Sequence, residues 1–209
     1  MITGTLRHPG INLGEHHGED HETAETKVFG FWVFLMSDLI IFGLMFATYI
    51  TMQTPWSYAE GPTPVDVTNL GSVFAQTMVL LISSLTFGFA ALAVRHKHSL
   101  PRINFWMVIT LLLGLAFLYM ELHDFHDMLA MGAGPDRSGY LSSFFGLVPL
   151  HGLHVAAGCV WIVVMLIQLQ VFGTNTVVKV RLLQLSLFWH FLDIVWIGIF
   201  SIVYLGGVA

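Results

Sequence analysis

Five long apolar runs dominate this 209-residue chain. They cover roughly residues 28–50, 70–94, 103–128, 142–172 and 183–206. Each run is long enough to cross a bilayer as a helix, which needs about 20 apolar residues. Because lipid cannot hydrogen-bond to an exposed backbone, helices are the physical solution for such runs. The sequence therefore predicts an all-α integral membrane protein, a single bundle of five transmembrane helices.

The composition favours the same class. Hydrophobic residues make up 56% of the chain and charged residues 10%, whereas a soluble domain carries about 25% charged residues. No basic face for nucleic acid is present in the sequence. The first 27 residues are polar and lack the features of a cleavable signal peptide, so we expect a solvated tail, with metal binding by its histidines as the alternative. Those histidines are His8, His16, His17 and His21.

The basic residues are distributed unevenly between the two ends of the predicted helices. Seven of the eight precede the first run or follow the second and fourth runs, and only Arg137 lies at the opposite end. The positive-inside rule then predicts a cytoplasmic N-terminus and a periplasmic C-terminus. The seven residues are Arg7, Lys27, Arg95, Lys97, Arg102, Lys179 and Arg181.

Six Asp, Glu and His side chains lie deep inside the apolar runs. An ionised side chain at the bilayer centre costs on the order of 2.5–3.5 kcal/mol on insertion scales, so such residues usually face protein or trapped water rather than lipid. We therefore expect the interior of the bundle to have a polar role. The six residues are Asp38, Glu121, His151, His154, His190 and Asp193.

The histidines of the fourth and fifth runs allow two interpretations each. His151 and His154 are three residues apart and lie near each other on one face of a helix. They predict either a haem or copper site or, more in keeping with buried polar groups, hydrogen bonds that tie helices together. His190 and Asp193 have the same spacing and predict a structural pair rather than a proton relay.

The acids of the first and third runs also leave alternatives open. Asp38 has no basic partner on its own helix, so it is either a neutral acid bonded to a neighbouring helix or a titrating group beside a proton route. Glu121 is the one deep member of an acidic and histidine-rich group, for which a wet helix end competes with a metal site. The other members of that group are His123, Asp124, His126 and Asp127.

Local residues of the fourth run predict how it begins, bends and packs. Pro149 lies two residues before His151 and removes a backbone donor, which predicts a bend beside the two histidines. Asp136 or Ser138 is expected to cap the start of this helix. Small residues at a spacing of four let another helix approach closely. Such spacing involves Gly43 and Ala47, Gly152 and Ala156, and His154 and Gly158.

Three segments, in order along the chain, resemble subunit III of the haem–copper terminal oxidases. KVFGFWVFLMSDLIIFGLMFATY is similar to the first shared helix of the family, with Asp38 where many members carry Glu. GPDRSGYLSSFFGLVPLHGLHVAAG is similar to its loop and His-pair helix, and LFWHFLDIVWIGIFSIVYL to its final helix. Five rather than seven helices make the bo-type, ubiquinol-oxidising branch the nearer resemblance, with a cytochrome c oxidase subunit III as the alternative.

The resemblance implies a non-catalytic subunit without its own redox centre, in a proton-pumping oxidase of the bacterial inner membrane. Haem and copper would lie in subunit I, which this chain would contact chiefly, with subunits II and IV in the same complex. The resemblance also implies phospholipid bound in a cleft between helices and support of proton uptake by subunit I. Asp38 matches the buried carboxylate of the cleft-lining helix, and His154, His190 and Asp193 match positions in the last two helices. The rivals from other classes are an independent proton transporter and a haem-binding membrane protein.

Overall fold

The computed structural model describes residues 19–58, 69–96 and 99–208 of the chain. Within these residues, five long helices are each apolar enough to cross a membrane. This confirms the predicted all-α architecture with five membrane-spanning helices. The helices are α1 (Glu19–Met52), α2 (Leu70–Arg95), α3 (Leu100–Ala130), α4 (Gly139–Phe172) and α5 (Thr176–Ile199).

Two helices extend beyond the apolar runs that predicted them. Helix α1 begins at Glu19, inside the segment predicted as a tail, and its membrane-spanning part begins at Ala24. Helix α5 continues into a π-helical segment, Phe200–Leu205, and a last turn, Gly206–Val208. A short 3₁₀ helix, Pro55–Tyr58, follows α1. The tail histidines His8, His16 and His17 lie outside the described residues, as does the side chain of His21.

Polar side chains cap the starts of three helices. The first backbone N–H groups of a helix have no partner within it, so an Asn or Ser oxygen at the N-cap stabilises that end. Asn69 accepts from two backbone N–H groups of α2, and Asn175 accepts from the N–H of Val178 in α5. Ser138, one of the two predicted caps of α4, accepts from the N–H of Leu141.

The five helices pack as a closed ring with contacts across it. The ring runs α1–α4–α3–α2–α5 and back to α1, and the main crossing contact joins α4 to α5. Helix α1 therefore lies in the angle between α4 and α5, while α2 and α3 lie on the opposite side of that pair. Helix α4 continues past Pro149 to Phe172, so the proline does not end the helix.

Three helices pack closely around the indole of Trp189 on α5. A Cβ on Gly114 of α3 would lie 2.8 Å from this ring, and a Cβ on Gly158 of α4 would lie 3.0 Å from it. Glycine is needed at both positions because a larger residue would push the helices apart. In contrast, a Cβ on Gly43 of α1 would meet no atom of the described chain within 4 Å.

Candidate functional site

Asp38 faces a histidine of another helix rather than lipid. Its Oδ2 atom lies 3.9 Å from Nε2 of His154, across the contact between α1 and α4. The Nδ1–H of His154 donates to the carbonyl oxygen of Leu150 at 2.7 Å. This bond directs Nε2 toward the acid, where it can accept from a neutral carboxyl or, as imidazolium, balance a carboxylate. The neighbouring helix thus supplies the partner that α1 itself lacks.

His151 is fully buried and is bonded to α5. Its Nε2–H donates to the carbonyl oxygen of Leu192 at 3.2 Å, and its Nδ1 has no hydrogen-bond partner in the described chain. The ring lies 5.1 Å from that of Trp196 and meets Phe117 edge-on at 5.8 Å. His151 therefore contacts α3 and α5, whereas His154 faces α1, although the two are only three residues apart.

His190 and Asp193 lie close to each other, but the shorter contact of the histidine is to α2. Its Nδ1 lies 2.7 Å from Oγ of Ser84 and 3.7 Å from Oδ2 of Asp193. Neither carboxyl oxygen of the buried Asp193 has a hydrogen-bond partner within the described residues. His190 and Asp193 are thus neighbours without a hydrogen bond between them, and the hydrogen bond between His190 and Ser84 joins α5 to α2.

Helix α2 supplies several bonding partners that the sequence analysis did not single out. The indole N–H of Trp189 donates to Ser83 at 3.1 Å, and that of Trp196 donates to Thr77 at 3.0 Å. Uncharged Ser, Thr and Gln residues barely alter the hydropathy of a span, so a search for ionisable residues passes over them. The signal was their spacing, because residues four and seven apart share one face of a helix. These residues are Ser72, Gln76, Thr77, Ser83 and Ser84.

Glu121 is the deepest acid of α3 and lies against α4. It is 3% exposed, and a Cβ on Gly152 of α4 would come within 2.6 Å of its Oε2 atom. The glycine therefore makes room for the carboxyl group. The other oxygen, Oε1, has no hydrogen-bond partner in the part of the chain that the structure describes.

Asp124 lies one turn further along α3 and is bonded to α2. It accepts from Nε2 of Gln76 at 2.6 Å and from Oγ of Ser72 at 3.0 Å. The other three members of the group are more exposed. Nδ1 of His123 lies 3.3 Å and Nδ1 of His126 lies 3.6 Å from the carboxylate of Asp127. The structure thus brings Asp124 into the contact with α2 and leaves His123, His126 and Asp127 exposed at this end of the bundle.

A cavity of about 440 Å³ lies between Glu121 and this end of the bundle. Asn69 at the start of α2 and Met131 after α3 line its outer part, and Tyr204 of the π-helical segment lines it as well. Among the residues described, no group of three His, Cys, Asp or Glu side chains is arranged to hold a metal ion. The buried polar groups therefore form helix contacts and one acidic cavity.

Comparison with known proteins gives one consistent result. The family described as cytochrome c oxidase subunit III matches residues 10–208. The cytochrome bo(3) ubiquinol oxidase subunit 3 of Pseudomonas putida is 45% identical over 188 residues, covering 90% of this chain and 89% of the relative. The protein of the same name from Pseudomonas aeruginosa is 45% identical over 195 residues, covering 93% and 92%. A probable quinol oxidase subunit 3 of Staphylococcus aureus is 40% identical over 189 residues, covering 90% and 92%.

Proposed function

The chain belongs to the cytochrome c oxidase subunit III family, and we propose that it is subunit III of a bo-type ubiquinol oxidase. It is a multi-pass protein of the bacterial inner membrane, with five helices that can span the bilayer. The observation that carries the proposal is the identity to bacterial quinol oxidase subunits over nearly the full length of both chains. Under this proposal the complex transfers electrons from ubiquinol to oxygen, and this chain supports that reaction without carrying it out.

The described histidines inside the spans do not fit a haem or copper centre. A bis-histidine haem needs two imidazoles facing one iron from different helices. Here His151 is bonded to the carbonyl oxygen of Leu192, and His154 faces Asp38. His190 is held by Ser84 of α2. We therefore assign haem and copper to subunit I and no redox step to the residues described here.

The ends of the helices favour a cytoplasmic N-terminus. The side-chain amide of Gln184, near the start of α5, donates to the carbonyl oxygen of Lys27 in α1 at 3.2 Å. The starts of α1 and α5 therefore lie at one end of the bundle, together with the basic residues that flank α2, α3 and α5. The positive-inside rule supports placing this end in the cytoplasm and the C-terminus in the periplasm.

The open face of α1 is the surface that best suits a helix of subunit I. We define the Gly43 face as Ile40, Gly43, Leu44 and Ala47, all of which are exposed in the described chain. Gly43 and Ala47 are four residues apart, and such small residues let a partner helix approach closely in lipid. Phospholipid would fill the remaining gaps beside α1, and subunits II and IV would complete the complex.

The pair of Asp38 and His154 is a polar group on the side of α1 that faces α4, around the helix from the Gly43 face. Both residues are largely buried, and Asp38 lies on the helix that carries the Gly43 face. Buried Asp and His side chains act as steps of proton relays in membrane proteins. We propose that the pair supports proton uptake by subunit I and sustained turnover of the complex.

The test is to purify the complex through an affinity tag on this chain and to identify its electron donor. We expect the preparation to contain subunits I, II and IV with haem, and to consume oxygen with ubiquinol but not with reduced cytochrome c. A second preparation, purified through a tag on subunit I from cells lacking this chain, should lose activity during turnover. Full activity, pumping and subunit content without the chain would contradict the proposed role.

The second candidate is subunit III of a cytochrome c oxidase, because the family description names that enzyme. The same oxygen-consumption assay decides between the two, since only the second would oxidise reduced cytochrome c. Proton flux through the chain alone in liposomes would instead favour an independent transporter, and a haem spectrum of the isolated chain would favour a haem protein.

A further inference from the structure

The acidic cavity takes no part in the function proposed above. It has a volume of about 440 Å³ and extends from Met131, at the end of α3, inward to Glu121. Of the described residues that line it, none belongs to α1. It is therefore separate from the Gly43 face and from the gap beside α1 assigned to phospholipid.

The ionisable side chains that line the cavity are all acids. The carboxyl groups of Glu121, Asp124 and Asp127 line it, and no Lys or Arg is found among the lining residues that the structure describes. Asp124 already accepts hydrogen bonds from α2, and Asp127 has histidine neighbours. Glu121 is only 3% exposed, yet its Oε1 atom lacks a donor. A buried carboxylate without a donor is costly, so the cavity favours a ligand that brings a positive charge and an N–H or O–H group.

The walls of the cavity indicate which kind of cation fits. Phe125, Phe144 and Tyr204 line it, and the rings of Phe144 and Tyr204 meet edge-on at 6.0 Å. Aromatic rings attract organic cations, and the volume lies in the range of about 300–1,000 Å³ that is usual for small-molecule sites. A bare metal ion would need several converging oxygen or nitrogen ligands, and the described residues form no such group.

We propose that this cavity binds a primary ammonium group, which donates a hydrogen bond to the carboxyl group of Glu121 between aromatic walls. Asp124 and Asp127 add negative charge along the route from the helix ends. Two sources carry this chemistry, namely the ethanolamine headgroup of a phospholipid at the membrane surface and a free alkylamine in solution. Both would enter beside Asn69 and Met131, where the cavity opens near the ends of α2 and α3.

The experiment uses the purified complex in nanodiscs of phosphatidylglycerol, with and without added phosphatidylethanolamine. Free ethanolamine is titrated by calorimetry into the complex in nanodiscs of phosphatidylglycerol alone. Phosphatidylethanolamine retained by the complex in the mixed nanodiscs is measured by native mass spectrometry. We expect Glu121→Gln to weaken binding about tenfold or more, because a hydrogen bond to a charged partner is lost. The matched control is Asp136→Asn, which removes a carboxylate from an exposed loop at the same end that does not line the cavity.

Each outcome supports or overturns the proposal. Glu121-dependent binding of free ethanolamine indicates a soluble amine, and Glu121-dependent retention of phosphatidylethanolamine indicates a lipid headgroup. The proposal is overturned when neither probe binds, or when Glu121→Gln and Asp136→Asn bind as well as the natural chain. Wild-type complex gives a further test if Glu121→Gln does not assemble. Ethylene glycol is similar in size to ethanolamine but uncharged, and we expect that it does not displace ethanolamine. Displacement by ethylene glycol, or preferential binding of Mg²⁺, would contradict the proposal.

Discussion

Helices α1 and α5 are both apolar spans in which a buried aspartate lies near a histidine, but they are held in place differently. About 17% of the apolar window of α1 is buried, compared with 50% for α5. Asp38 of α1 depends on His154 from α4, whereas Asp193 has His190 on its own helix. Helix α1 thus keeps most of its surface free for other molecules, and α5 forms the centre of the bundle.

The difference follows from how helices associate in lipid. Apolar side chains gain little by leaving lipid for protein, so close packing and interhelical hydrogen bonds hold a bundle together. Helix α5 has both, through the indole groups of Trp189 and Trp196 and their bonds to α2. Helix α1 also has interhelical bonds, from the hydroxyl of Tyr49 to Tyr140 and to the carbonyl oxygen of Val203, each at 3.2 Å, but much less of its surface is buried. We therefore expect changes in α5 to unfold the chain and changes in α1 to alter its associations.

The largest expected effect is that of Trp189→Ala on α5. This change leaves a cavity among α2, α3 and α4 and removes the hydrogen bond to Ser83, so we expect a loss of about 3–5 kcal/mol in the free energy of unfolding. Trp32→Ala on α1 is the matched control, because Trp32 is 49% exposed. Unfolding of both variants in mixed micelles by SDS titration measures the difference, and equal losses would contradict the contrast between the helices.

An intermediate effect is expected for Gly158→Leu. The new side chain would collide with Trp189, and overpacking of this kind costs about 1–3 kcal/mol. Gly43→Leu introduces the same side chain where a Cβ meets open space, so the isolated chain should unfold as before. Under the proposed function it should instead lower the amount of subunit I that co-purifies with the chain. Normal co-purification of Gly43→Leu would show that the Gly43 face is not the contact with subunit I.

The smallest expected effect is that of Asp38→Asn. The 3.9 Å separation from His154 is too long for a direct hydrogen bond, and an amide remains polar enough to face the ring. We expect a change below about 1 kcal/mol in stability, in line with typical interhelical polar contacts, and normal assembly of the complex. Asp193→Asn, measured in parallel by SDS titration and subunit content, is the comparison. Loss of the assembled complex with Asp38→Asn alone would show that a negative charge at this position is structural.

The sequence predicted which residues belong to the candidate site but not which residues of other helices they contact. Hydropathy placed Asp38, Glu121 and Asp193 inside spans, and all three are buried. It did not show that His151 and His154 would serve different helices, because two residues three apart on a helix can each face a separate neighbour when three helices meet. The role of Asp124 was missed for a similar reason, since its partners Ser72 and Gln76 are uncharged and belong to another helix.

The sequence by itself determined the class, the number of spans and the family, because these depend on local sums of hydropathy and on motifs that are continuous along the chain. Only the tertiary structure decided that Asp38 faces His154, that Trp189 fills the space left by Gly114 and Gly158, and that Glu121 ends in an acidic cavity. The physical reason is that insertion of a segment into lipid depends on the summed hydropathy of its own residues. A side-chain partner or a cavity depends instead on which helices pack together and on how each helix is rotated about its axis.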